Sequence, residues 1–158
     1  MSARMTEHVD ILLRRAEGAD AAAITGLVRA AFAPYTPLIG KPPAPALYDY
    51  APLIETGRVR VAISAAQILG VIYTYAEDDG GVMLDVLAVS EAARGRGIAM
   101  RLILEAEARA RRDGAAVMRV YTNAVMSGPQ RLYPKLGYTE THRGKSDGYD
   151  RIHYEKQL

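Results

Sequence analysis

The sequence has no cysteine. That excludes disulfides, a thiolate nucleophile and a cysteine-based zinc site. It suits a reducing cytoplasm, and we expect a cytoplasmic protein. A charge excess is also missing. Formal net charge is only +2 over 158 residues, with acidic and basic side chains intermixed. Neither a dedicated nucleic-acid binder nor a membrane-surface binder is expected from such a balance. No apolar run approaches the roughly 20 residues of a membrane span. Met1 to Asp10 is polar and lacks the apolar centre of a signal peptide. Residues 1–8 read as a disordered lead, with Met5 as an alternative start, and residues 9–158 as one domain. That length supports a core without covalent staples. No internal repeat or low-complexity segment is evident.

What is present is organised around Arg94-Gly95-Arg96-Gly97-Ile98-Ala99. An apolar run, Val82 to Val89, precedes it, and an amphipathic segment, Met100 to Arg112, follows. Strand, glycine-rich turn and helix in that order make an anion site from backbone. Gly95 and Gly97 let the chain curl and bring N–H groups close to a ligand. The first N–H groups of a helix lack internal partners, and its dipole favours negative charge there. A phosphate or diphosphate fits such a place. It is not a P-loop, because Gly-Lys-Ser/Thr is absent. The dinucleotide fingerprint fails at its last position, which is Met100.

Periodicity lays out the rest. Val9 to Arg15 reads as a strand, and Asp20 as the cap of a helix from Ala21 to Phe32. Pro34 and Pro37 are expected to stop that helix. Tyr35 to Tyr50 is dense in proline and tyrosine. It reads either as a connector or as a wall of an acceptor pocket carrying Tyr35 and Tyr48. A short helix over Tyr48 to Thr56 follows. Strands are expected at Arg58 to Ala65, Gln67 to Tyr75 and Val82 to Val89, the last covered on both faces. The main helix buries Ile98, Leu102, Ile103, Ala106 and Ala110. Val117 to Thr122 is a strand, and Ser127 caps a helix running to Leu136. The last two strands are Tyr138 to His142 and Arg151 to Lys156, joined by Arg143 to Gly148. As an edge, Arg151 to Lys156 could pair across a homodimer.

The loop resembles the acetyl-coenzyme A loop of the GNAT acetyltransferases, Q/R-x-x-G-x-G/A, here Arg94-x-x-Gly97-x-Ala99. Leu87-Ala88-Val89 stands before it. Leu132-Tyr133-Pro134-Lys135-Leu136-Gly137-Tyr138 resembles the family's L-Y-x-K-L-G-F/Y signature. The resemblance implies an α/β (α+β) GNAT fold: a mixed, mostly antiparallel sheet of about seven strands, about four helices, and strands four and five splayed apart.

The same resemblance implies acetyl-coenzyme A as co-substrate and no metal. The backbone of Leu87, Ala88 and Val89 would meet pantetheine, with the Leu87 N–H as oxyanion donor. Amides of Arg94, Gly95, Arg96, Gly97, Ile98 and Ala99 would cradle the diphosphate, and the two arginine side chains could add charge-assisted bonds or stay solvated. Many relatives carry Asn near the start of the helix that bears the motif tyrosine, where this chain has Met126-Ser127-Gly128-Pro129. Either Asn123 or Ser127 replaces that contact, or neither does and coenzyme A binds more weakly. Tyr133 stands where relatives place an acid for the leaving thiolate, or its ring only packs. Asp85, a lone carboxylate in an apolar strand, is a general base or a paired structural group. Its alternation puts it on the face of Leu87 and Val89. His142 and His153 are further candidates, though both read more simply as surface strand residues. The activity implied is transfer of acetyl to a primary amine of a small molecule, or of a protein. The rival is a non-catalytic acyl-coenzyme A binding or sensing domain.

Overall fold

A computed structural model describes residues 10–158, so the expected lead and Val9 lie outside the described residues. Seven strands form one sheet: β1 (Leu12–Arg15), β2 (Val59–Ser64), β3 (Gln67–Ala76), β4 (Val82–Val89), β5 (Val117–Asn123), β6 (Thr139–Ser146) and β7 (Tyr149–Gln157). Their spatial order is β1-β2-β3-β4-β5-β7-β6. Every neighbouring pair is antiparallel except β4 and β5. The helices are α1 (Ala21–Phe32), the single turn α2 (Thr36–Ile39), α3 (Tyr50–Glu55), α4 (Ile98–Arg112) and α5 (Ser127–Lys135).

The two sheet faces have separate cores. On one, Ile24 and Val28 of α1 and Tyr50 and Ile54 of α3 pack on Val59, Val61, Val71, Val86 and Ala88. On the other, the expected stripe of α4 packs on Ile72, Leu84, Met118 and Val120, joined by Tyr133 of α5. Gly70 lets α4 sit close, since a Cβ there would lie 2.9 Å from Ile98 Cγ2.

Several local expectations are corrected. Asp20 stands at the N-cap of α1 without capping it; its carboxylate takes Arg14 and the Glu17 N–H instead. α1 ends at Phe32 as expected, but Pro34 and Pro37 do not stop helical structure beyond it. Each sits in the first turn of a new short helical segment, where a missing N–H costs nothing. Ser127 is the first residue of α5, and Met126 occupies its cap position. The β6–β7 hairpin extends to Ser146 and Tyr149, leaving Asp147-Gly148 as the turn. β7 is not an edge: it pairs with β5 on one side and β6 on the other. Edge pairing through Arg151 to Lys156 is therefore excluded, and the C-terminal edge is β6. Taken together, the helical segments from Gly18 to Ile39 do reach the length and mean hydropathy, 1.2, of a membrane span. They break into four pieces, and α1 turns Ile24 and Val28 into the core.

Candidate active site

The site begins with a fault in β4. Thr74 pairs with Leu84 and Tyr73 with Val86, so Asp85 has no partner on β3. One extra residue makes a bulge and shifts the alternation of everything after it. Before it, Leu84 faces the α4 core; after it, Leu87 and Val89 face that core while Val86 and Ala88 face α1 and α3. Asp85 therefore does not share the face of Leu87 and Val89. It meets two tyrosines instead. Tyr48 donates its hydroxyl to Asp85 Oδ2 at 2.9 Å, and Tyr121 donates to Oδ1.

Past the bulge, β4 and β5 part. Their parallel pairing covers only Val82–Leu84 against Met118–Val120. The Ser90 N–H donates to the Leu69 carbonyl at 2.8 Å, which fixes the phase of the β3–β4 ladder. Hydrogen-bonded and non-bonded pairs alternate along an antiparallel ladder. Val71 with Ala88 is then bonded, while Gly70 with Val89 and Ile72 with Leu87 are not. The backbone N–H and C=O groups of Leu87 and Val89 consequently point away from β3, into the gap that β5 has left.

At the end of β4 the turn holds Gly95 at φ 83° and Gly97 at φ 73°, conformations that L side chains rarely adopt. The first bond of α4 runs from the Arg101 N–H to the Gly97 carbonyl, 3.1 Å. Among the described residues, the N–H groups from Gly95 to Met100 have no backbone acceptor. With the positive end of a 15-residue helix behind them, they favour an anion.

Three cavities share walls in succession from this turn. The first, about 350 Å³, is lined by Arg94 and Ala99, by Leu87, Ala88 and Val89 of β4, and by Tyr35, Gly128 and Tyr133. The second, about 70 Å³, lies in the β4–β5 gap and is bordered by Asp85, Leu87, Asn123 and Tyr133. The third, about 430 Å³, opens beyond Asp85 between Tyr48, Tyr75, Tyr121, Tyr149 and Arg151. Tyr133 thus joins the first two and Asp85 the last two.

Tyr133 is buried, its ring edge-on to Tyr138 at 5.4 Å. Burial first, and then Tyr154, push its phenol upward, so it stays protonated near neutral pH. Burial first, and then the Asp85 charge, push Tyr48 up to about 12. The same two causes raise Tyr121. Both remain protonated donors to the carboxylate. The Thr122 hydroxyl, buried at the gap, has no hydrogen-bond partner among the described residues.

The remaining candidates scatter. Asn123 borders the gap, and its Oδ1 accepts the Val125 N–H at 3.3 Å. Arg96 and Ser127 are exposed and border none of these three cavities. Tyr35 lies along the first cavity, whereas Tyr48 lies at the third. His142 and His153 stack at 4.1 Å on β6 and β7, outside all three. Tyr121, Tyr149 and Arg151 were not singled out from sequence. Apolar Met118 and Val120 alternate in β5, so Tyr121 had to face the other side, and that was the available signal.

The model described as the acetyltransferase (GNAT) domain matches residues 55–140, just over half of the chain. A comparison with curated protein sequences returns no significant match. Among solved structures, the PaiA N-acetyltransferase from Thermoplasma acidophilum in complex with coenzyme A is 17% identical, with a TM-score of 0.77 over 94% of this chain and 99% of that one. YncA from Salmonella typhimurium, solved with its cofactor acetyl-coenzyme A, is 22% identical, with a TM-score of 0.74 over 94% of each chain. An N-acetyltransferase from Staphylococcus aureus Mu50 is 19% identical, with a TM-score of 0.76 over 94% and 98%. At such identities the structures speak for the fold, and the fold is the one built above; with the domain match, the chain belongs to the GNAT family of acetyltransferases.

Proposed function

We propose that the chain moves acetyl from acetyl-coenzyme A to the primary amine of a small molecule. The observation that carries this is the gap itself. Backbone groups of Leu87 and Val89 point into it, and bare N–H groups from Gly95 to Met100 stand at its end. The residues fit coenzyme A: a Cβ placed on Gly95 or Gly97 meets nothing within 4 Å, so the outer face of the turn is clear for a diphosphate. Arg94, which borders the first cavity, would add charge. Asn123, which borders the gap, would meet the pantetheine arm.

The thioester supplies an activated carbonyl. The acceptor enters as an ammonium and loses one proton to solvent; its nitrogen then bonds to the carbonyl carbon, the carbon–sulfur bond breaks, and the second proton shed by nitrogen is balanced by the one that makes the free thiol. The Leu87 N–H meets the charge that grows on the carbonyl oxygen. Asp85 takes the proton from the amine, and Tyr133 gives one to the sulfur. Tyr48 and Tyr121 orient Asp85 through their hydroxyls. The third cavity, of about 430 Å³, suits a small amine better than a folded protein. A cytoplasmic setting is consistent with the lack of cysteine.

One feature favours the rival reading, an acyl-coenzyme A binding domain without turnover. Both Asp85 oxygens already accept tyrosine hydroxyls. A screen of amines with acetyl-coenzyme A, read by thiol release, separates the two. The enzyme reading expects turnover that Asp85→Asn and Tyr133→Phe each lower by roughly 10²–10⁴-fold. Calorimetry should show coenzyme A affinity little changed in both variants. Binding without turnover on any amine leaves the rival; no heat with coenzyme A sinks both.

A further inference from the structure

The third cavity holds a guanidinium that the chemistry above does not use. Arg151 is 5% exposed. Its guanidinium carbon lies 4.0 Å over the Tyr121 ring and 5.3 Å from the Tyr149 ring. Only Nη1 has protein partners among the described residues, Ser146 Oγ at 3.1 Å and Asp147 Oδ2 at 2.8 Å. The Asp147 side chain, on the hairpin turn, is 84% exposed. Elsewhere in the sheet, Arg119 meets three carboxylates, those of Glu77, Asp79 and Glu155. Arg151 is the more deeply buried of the two and the less neutralised. A buried cation with one water-facing counter-ion is costly unless something else completes it. Stacking on tyrosine fixes its planar fork, and Nε and Nη2 are left to bind the two oxygens of a carboxylate.

Tyr121 also fixes where that carboxylate would lie relative to the reaction. Its ring lies under Arg151, and its hydroxyl reaches Asp85. A cation and an anion therefore stand one phenol apart on one cavity wall, a match for a zwitterion. We propose that the acceptor is an amino carboxylate, its carboxylate on Arg151 and its amine directed toward Asp85 and the gap. This rests on the acetyl-transfer reading and names the acceptor class for it. Tyr48, Tyr75 and Tyr149 would line the path of the side chain.

The test compares each amino acid in a panel, α and ω, with its own carboxamide, at saturating acetyl-coenzyme A. The acid should exceed the amide in kcat/KM by roughly 10- to 100-fold, the worth of charge-assisted hydrogen bonds. In Arg151→Gln the ratio should fall close to one, mainly through a higher KM for the acid. Because that change can loosen the hairpin, Asp147→Asn is the companion variant. It keeps Arg151 and removes its competing carboxylate, so the KM for the acid should drop several-fold. A guanidinium that only braces the turn would give no such gain. Amides that match acids, or an Asp147→Asn variant with unchanged KM for the acid, overturn the proposal and leave acetyl transfer standing. Turnover with other primary amines but with no acid or amide of the panel likewise overturns the proposal and leaves acetyl transfer standing; silence with every amine refutes acetyl transfer itself, and this proposal with it.

Discussion

Glu107 is a buried carboxylate whose removal should be felt in three elements at once. It sits in α4 at 1% exposure, and its two hydrogen-bond partners lie on other elements, with Arg111 of its own helix a more distant ion-pair partner at 3.9 Å. Tyr138, just past the end of α5, donates its hydroxyl to Oε2 at 2.8 Å, and Lys156 of β7 donates to Oε1 at 2.8 Å. One carboxylate thus ties the helix behind the glycine turn to the strand beside β5 and to the end of the tyrosine motif. Glu107→Ala leaves the buried Tyr138 hydroxyl without an acceptor and Lys156 without its counter-ion. Breaking a buried pair costs about 3–5 kcal/mol. Lys156 is 19% exposed and can turn to water, so the lower end, about 3 kcal/mol, is expected. Glu107→Gln keeps an acceptor for Tyr138 and should cost about 1–2 kcal/mol. Tyr138→Phe should cost about 1.5 kcal/mol, the worth of one hydrogen bond to a charged group. Urea unfolding measures all three, with the slope held constant as the check on two-state behaviour. The Glu107→Gln and Tyr138→Phe double variant should show coupling of about 1 kcal/mol. A Glu107→Ala protein within about 1 kcal/mol of the parent would refute the view that this carboxylate is a structural tie.

The β2–β3 turn places Ala65 at φ 49° and Ala66 at φ 65°. Each alanine is strained there, and Asn-Gly is the natural pair for such a turn. Ala65→Asn with Ala66→Gly should raise stability by roughly 1–2 kcal/mol in urea, and an unchanged midpoint would count against the turn as described. Asp20 accepts from Arg14 Nη1 and Nη2, at 2.8 and 3.2 Å, and this holds its carboxyl below the usual range. Its contribution is therefore complete above the unfolded value, about 3.9, and is lost as pH falls through the lower folded value. Asp20→Asn should melt below the parent near neutral pH, with the gap closing below about pH 4; a gap of constant size at every pH would exclude this linkage.

What could be read along the chain was what local pattern encodes. Val82 to Val89 has the bounds expected of it, because an apolar run between Gly81 and a polar turn leaves little freedom. α1 begins and ends where its apolar stripe does. The splay of β4 from β5 came only through resemblance, because no residue in either strand announces it. Strand order was also hidden, yet a signal existed. Thr139–Ser146 has no large apolar residue and is almost wholly exposed, whereas β7 buries Ile152 and Tyr154. Composition therefore marks β6 as the edge.

Asp85 shows most plainly where counting by twos fails. A carboxylate in a central strand is anomalous in the sequence, and that anomaly was legible. Its solution was not, because a bulge is a property of the pair β3–β4, set by which residue of Tyr73-Thr74 meets which residue of β4. The inserted residue turns Asp85 away from the face that Leu87 shares with α4 and toward Tyr48 and Tyr121, which lie 37 and 36 positions away in the chain. The same insertion leaves Leu87 and Val89 with their backbone groups aimed into the gap. One extra residue in the register therefore gives the carboxylate its partners and supplies the open backbone edge beside it.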